Sequence, residues 1–124
     1  MDLQNLERFF LGRASVNEVV DDIAPEVESF RVARMKKGST SPVYGANENF
    51  HYSVRKQDIK KLCGSYLSGD LNEWHLEYLA NLIELSDCFT YENNELADTI
   101  FELSSPEINS AITPDVVSRI YESL

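Results

Sequence analysis

Between Asp70 and Asp87 the chain reads DLNEWHLEYLANLIELSD, and a helical period sorts that run into two faces. At about 100° per residue, Leu71, Trp74, Tyr78, Leu82 and Leu85 fall within roughly 80° of one another. Glu73, Glu77 and Glu84 fall within roughly 40° on the opposite side. A strand, whose side chains alternate with period two, would scatter both sets across its faces. Asp70 stands as the expected cap of this helix, with Glu73 three residues on at the reciprocal position.

The same design recurs along the chain. Leu3, Leu6, Phe9 and Phe10 predict a short helix stopped near Gly12. Ser15 with Glu18 matches a capping box ahead of Val16, Val19, Val20 and Ile23. Pro25 either ends that helix or opens the next, which carries Val27 and Phe30 towards Lys37 and Gly38. Ser53 is a candidate cap for a helix bearing Ile59, Leu62, Cys63 and Tyr66 and ending at Ser68-Gly69. Leu96, Ile100 and Leu103 form one stripe with Glu95, Asp98 and Glu102 on the other side. Thr113-Pro114 is a cap followed by a first-turn proline, ahead of Val116, Val117, Ile120, Tyr121 and Leu124. The expectation is an all-α, single-domain bundle of five or six helices over residues 1–124. One long loop, about 38–53, interrupts it, with a short strand allowed at Phe50–Val54.

Thirteen aromatic residues and a 124-residue chain provide for a real core. Charge is more informative. The chain carries a formal net charge of −10, and its imbalance lies wholly after Leu62. Up to Leu62, 10 basic and 9 acidic residues nearly cancel; from Cys63 onward, 12 acidic residues face the single Arg119. An acidic half argues against direct nucleic-acid binding, because phosphates reward Lys and Arg. No apolar run reaches the roughly 18 residues of a membrane span, and the first residues lack a signal peptide's pattern. Two cysteines make no disulfide framework, so a reducing cytoplasm is the expected compartment.

The residues that carry catalysis are sparse. There is no Gly-rich phosphate loop, HExxH, CxxC or G-x-S-x-G. His51 sits in the long loop without a sequence-local ligand partner, and His75 reads as a core or boundary histidine. Cys63 and Cys88 occupy apolar positions, and nothing in their spacing makes Cys63 and His75 a nucleophile and base. The Glu stripes face away from the apolar stripe and His75 does not follow a Glu by three, so the carboxylate stripes lack the pattern of a bundle metal site. Trp74, Tyr66, Tyr78 and Phe101 read as core. No cofactor, no metal and no enzymatic activity are expected.

Tyr66-Leu67-Ser68-Gly69, Trp74 through Ala80-Asn81-Leu82-Ile83-Glu84-Leu85, Ile100-Phe101-Glu102-Leu103, Pro106-Glu107-Ile108-Asn109 and Thr113 resemble a group of small bacterial immunity proteins. These accompany polymorphic toxins, including those of contact-dependent growth inhibition. The resemblance spans residues 56–124. It implies a non-enzymatic helical inhibitor in the cytoplasm that neutralises a cognate toxin domain, frequently a nuclease. Nuclease sites are basic because they hold phosphates, and the acidic second half suits such a partner. An acidic adaptor or regulatory subunit for a basic host protein is the alternative. The binding face expected from the stripes comprises Glu73, Glu77, Glu84, Glu95, Asp98 and Glu102, with Tyr44 or Phe50 of the long loop as an aromatic anchor.

Overall fold

A computed structural model of the chain describes residues 1–35, 50–106 and 111–124. The first helix, α1 (Leu3–Phe10), starts where the Asp2 side chain accepts the Gln4 N–H and stops at a turn in which Gly12 takes φ +77°. Its four apolar residues are buried. Ser15 and Glu18 then form the expected reciprocal box: the Ser15 N–H donates to the Glu18 carboxylate (2.7 Å) and the Glu18 N–H to the Ser15 hydroxyl (3.3 Å).

The helix that follows, α2 (Val16–Met35), runs unbroken through Pro25, which neither ends it nor opens a second helix. A proline inside a helix costs about 3 kcal/mol. Val19, Ile23, Val27 and Phe30 are buried along one stripe, each contributing about 1.5–3 kcal/mol, while Pro25 sits on the exposed side. Continuity of the buried stripe outweighs the local breaker.

Residues 52–91 form a β-α-α-β unit. Strand β1 (Tyr52–Val54) leads into α3 (Lys56–Leu67), then α4 (Glu73–Leu85), then β2 (Phe89–Tyr91), and the two strands pair in parallel with Tyr52 opposite Phe89. The short expected strand is present; its partner β2 is an addition to the helical bundle. Since Val54 is already strand and α3 starts at Lys56, Arg55 rather than Ser53 is the N-cap residue. The Arg55 N–H donates to the carboxylate of Asp58 (2.9 Å), and so do its guanidinium (2.7 Å) and the Tyr52 hydroxyl (2.8 Å). Asp58 is fully buried, so these donors replace the water a carboxylate requires. Arg55 also donates to the Phe10 carbonyl, and Lys61 donates to the Phe9 carbonyl while lying over the Phe9 ring. Two carbonyls at the end of α1, that of Phe9 also accepting the Gly12 N–H, are thereby tied to the α3 segment.

Gly69, at φ +91°, turns the chain out of α3. The cap of α4 is Asn72, not Asp70: its side chain accepts the His75 N–H (2.9 Å), and the Asn72 N–H donates to His75 Nδ1 (3.0 Å). After β2, α5 (Asn94–Ser104) starts at the Asn93 cap, and α6 (Pro114–Ser123) starts at the expected Thr113-Pro114. Helix α5 makes the most extensive packing against α4, α6 packs on α3, and α2 closes over α4. One continuous apolar core joins all six helices and both strands. No helix among the described residues is long and apolar enough to cross a membrane.

Candidate functional site

Helix α4 does not present an acidic outer face. Every residue from Leu76 to Ile83 is buried, more than two full turns. Leu76, Leu79, Ala80 and Ile83 form a second buried stripe alongside the Glu residues, so α2, α3 and α5 surround the helix. Glu77 is accordingly enclosed at 7% exposure and leaves the binding face expected from its spacing. Asn81, also buried, donates from Nδ2 to the Glu77 carbonyl and to the Ser104 carbonyl, both at 2.9 Å. The second bond fixes the last turn of α4 to the end of α5.

The other expected carboxylates divide by their partners. Glu73, Glu95 and Asp98 are exposed, with no ion pair among the described residues. Glu84 is exposed at the end of α4, where it accepts from the Ser104 hydroxyl. Glu102 is half-buried and paired with Arg119 of α6 at 2.5 Å, so the sole cation of the second half does reach this cluster from outside it. The cluster's field is felt nearby. Burial, and then the Glu84 charge, push the Tyr91 phenol up; burial, and then Glu73, do the same to Tyr66.

Two large apolar side chains stand in this acidic setting. Leu85, the last residue of α4, is 64% exposed, and Phe101 of α5 is 43% exposed. Phe101 lies beside Asp98 and Glu102 on the polar side of its helix, not with Leu96, Ile100 and Leu103 in the core. The Asn81–Ser104 and Glu84–Ser104 bonds bring the ends of α4 and α5 together, so Leu85 and Phe101 flank one junction. The sequence held the signal for Phe101, an aromatic out of phase with its own helix's stripe. Leu85 matches its stripe, but one turn beyond Leu82 the helix has outrun the core.

Of the two aromatic anchors expected in the long loop, only Phe50 lies among the described residues. Phe50 is buried and packs edge-on against Phe89 at 5.5 Å, within a cluster that includes Tyr52 and Phe10. It serves the core under the small sheet and leaves the proposed surface. Tyr44 lies outside the described residues.

The candidate reactive groups take structural states. Cys63 is fully buried, and burial pushes its thiol up to about 12, so at neutral pH it is protonated. His75 is a helix cap whose Nδ1 accepts a backbone N–H, which fixes the neutral ring with its proton on Nε2. Burial lowers its pKa further. No group of three or more His, Cys, Asp or Glu side chains is arranged to hold a metal among the described residues. Comparison with known proteins gives no match: no family model, no curated protein and no solved structure is significantly similar to this chain.

Proposed function

We propose that the protein is a non-enzymatic immunity protein that neutralises a basic toxin domain, most readily a nuclease, through a stoichiometric complex in the cytoplasm. The observation that carries this reading is the junction of α4 and α5. Exposed Leu85 and Phe101 stand there among carboxylates, in a half-chain whose one cation is held by Glu102. Apolar anchors supply binding energy where they are desolvated, and a surrounding field of one sign selects the partner and speeds encounter. The resemblance of residues 56–124 to toxin-associated immunity proteins narrows that basic partner to a toxin.

Co-expression tests it. A large reading frame next to this one, ending in a variable domain, encodes the expected toxin, and its C-terminal domain should be harmless when produced together with this protein. Toxicity that persists in the presence of the folded protein overturns the reading. The complex should also associate more slowly as salt rises, with dissociation changing less, because exposed charges are screened beyond about 8 Å at physiological salt. If the protein instead protects nothing but captures a basic host protein with the same salt dependence, it is an acidic adaptor.

A further inference from the structure

The surface around α1 carries a feature that an acidic inhibitor does not need. Gln4, Glu7, Arg8 and Leu11 recur at helical spacing on the outer face of α1, and with Arg13, Phe50 and His51 they line a cleft of about 310 Å³. That volume lies at the lower end of the range for small-molecule pockets, about 300–1,000 Å³. In a chain of net charge −10, two arginines and a histidine line this cleft against a single carboxylate-bearing residue.

The two arginines are held differently. Arg8 donates to the Arg13 carbonyl at 3.3 Å, across the turn that Gly12 makes possible, which sets its guanidinium at the rim. The Arg13 side chain makes no hydrogen bond or ion pair among the described residues. By contrast, the cations on the inner side of α1 are committed: Arg55 to Asp58 and the Phe10 carbonyl, Lys61 to the Phe9 carbonyl. A guanidinium offers five donors in a planar fork that matches carboxylate and phosphate oxygens. Gln4 adds an amide donor and His51 a ring N–H. Leu11, 40% exposed, gives one apolar wall, with the largely buried Phe50 behind it. Glu7 in the lining repels a second negative group.

We propose that this cleft binds a small oxyanion, a phosphate or carboxylate carried singly on an apolar body, independently of the α4–α5 surface. Arg8 and Arg13 grip the oxyanion, Gln4 and His51 complete its donors, and Leu11, backed by Phe50, faces the body. A ligand with two separated anionic groups is disfavoured by Glu7.

Phenyl phosphate, benzoate and inorganic phosphate, titrated separately into the intact protein and followed by NMR of backbone amides and Arg Nε–H groups, test this. Saturable shifts confined to Gln4, Arg8, Leu11, Arg13 and His51 are expected, tighter for phenyl phosphate or benzoate than for inorganic phosphate. The stronger of those two identifies the oxyanion. Arg13→Gln, which removes no described contact, should weaken binding at least about tenfold while melting at an unchanged temperature. Glu7→Gln should strengthen it. Shifts that rise linearly without saturation, or that survive Arg13→Gln unchanged, overturn the proposal. Since toxin neutralisation is read at Leu85 and Phe101, either result leaves that function standing or falling on its own evidence.

Discussion

Charge does different work at the two ends of the molecule. Where α1 meets α3, the ionic groups are consumed by the fold: buried Asp58 takes its bonds from Tyr52 and Arg55, and Arg55 and Lys61 close the carbonyls at the end of α1. Where α4 meets α5, Glu73, Glu95 and Asp98 are left to solvent, and the helices are joined by Asn81 donating to the Ser104 carbonyl and by the Ser104 hydroxyl donating to Glu84. A charge that is buried and matched specifies the fold. A charge that is exposed and unmatched remains free to specify a partner. Near-neutrality before Cys63 and a surplus of acid after it are the sequence-level trace of that division.

The contrast breaks most severely at Asp58. Asp58→Ala strands the Arg55 guanidinium and the Tyr52 hydroxyl and should cost about 3 kcal/mol in urea unfolding, the low end for breaking a buried pair because Arg55 still reaches water. Changing Glu73, Glu95 and Asp98 to Lys, by comparison, should move stability by no more than about 0.5 kcal/mol each. If the surface triple mutant unfolds as readily as Asp58→Ala, the division of roles is wrong. Next in size is Phe101→Ala. It should leave the melting temperature nearly unchanged and weaken the toxin complex by at least about 2 kcal/mol, as removal of a central aromatic anchor does. Full affinity in a calorimetric titration would move the interface away from the α4–α5 junction.

Asn81→Ala probes the neutral bonds of that junction. It deprives two buried carbonyls of their shared donor and should destabilise by about 1–3 kcal/mol, with faster exchange of amide hydrogens at the end of α5. His75 gives the smallest effect. Burial lowers its folded pKa, so the unfolded chain binds the proton more readily. Its stabilisation is therefore complete above about pH 6.5 and is lost as pH falls through the lowered folded value. The amount should stay within about 1 kcal/mol, the scale of a helix cap. His75→Ala should flatten that part of the stability–pH curve, and an unaltered slope would show that His75 is not the group responsible.

Helical punctuation was the most legible layer. Ser15 with Glu18, Gly12, Gly69 and Thr113-Pro114 act where their local chemistry places them, because capping needs only near neighbours. Burial from all sides was not legible. Periodicity reports one stripe at a time, and on α4 the Glu77 register hid a second apolar stripe, Leu76, Leu79 and Ile83, that distant helices cover. For the same reason Pro25 could not be resolved locally, and Asn72 displaced Asp70 as cap only once Leu71 had been drawn into the core. Strand β2 has three residues, too few to show a period. Of the expected site, the acidity of α5 was readable. The place of Phe50 was not readable, because it answers to Phe89, nearly forty residues away in sequence.

The pairing of β1 with β2 also fixes an order of assembly. Two parallel strands joined through α3 and α4 cannot zip from a tight turn, as a hairpin can; their ends must be carried together by the helices between them. The entropy of closing that long loop falls due before the few strand bonds form, so the sheet is a late clasp rather than a nucleus. The Tyr52 N–H, held by the Cys88 carbonyl at 3.0 Å, and the Glu92 N–H, held by the Val54 carbonyl at 3.0 Å, join the same two segments that Phe50, Tyr52 and Phe89 bring into ring contact. A chain emerging from the ribosome has nothing to close this clasp against until Tyr91 has been made.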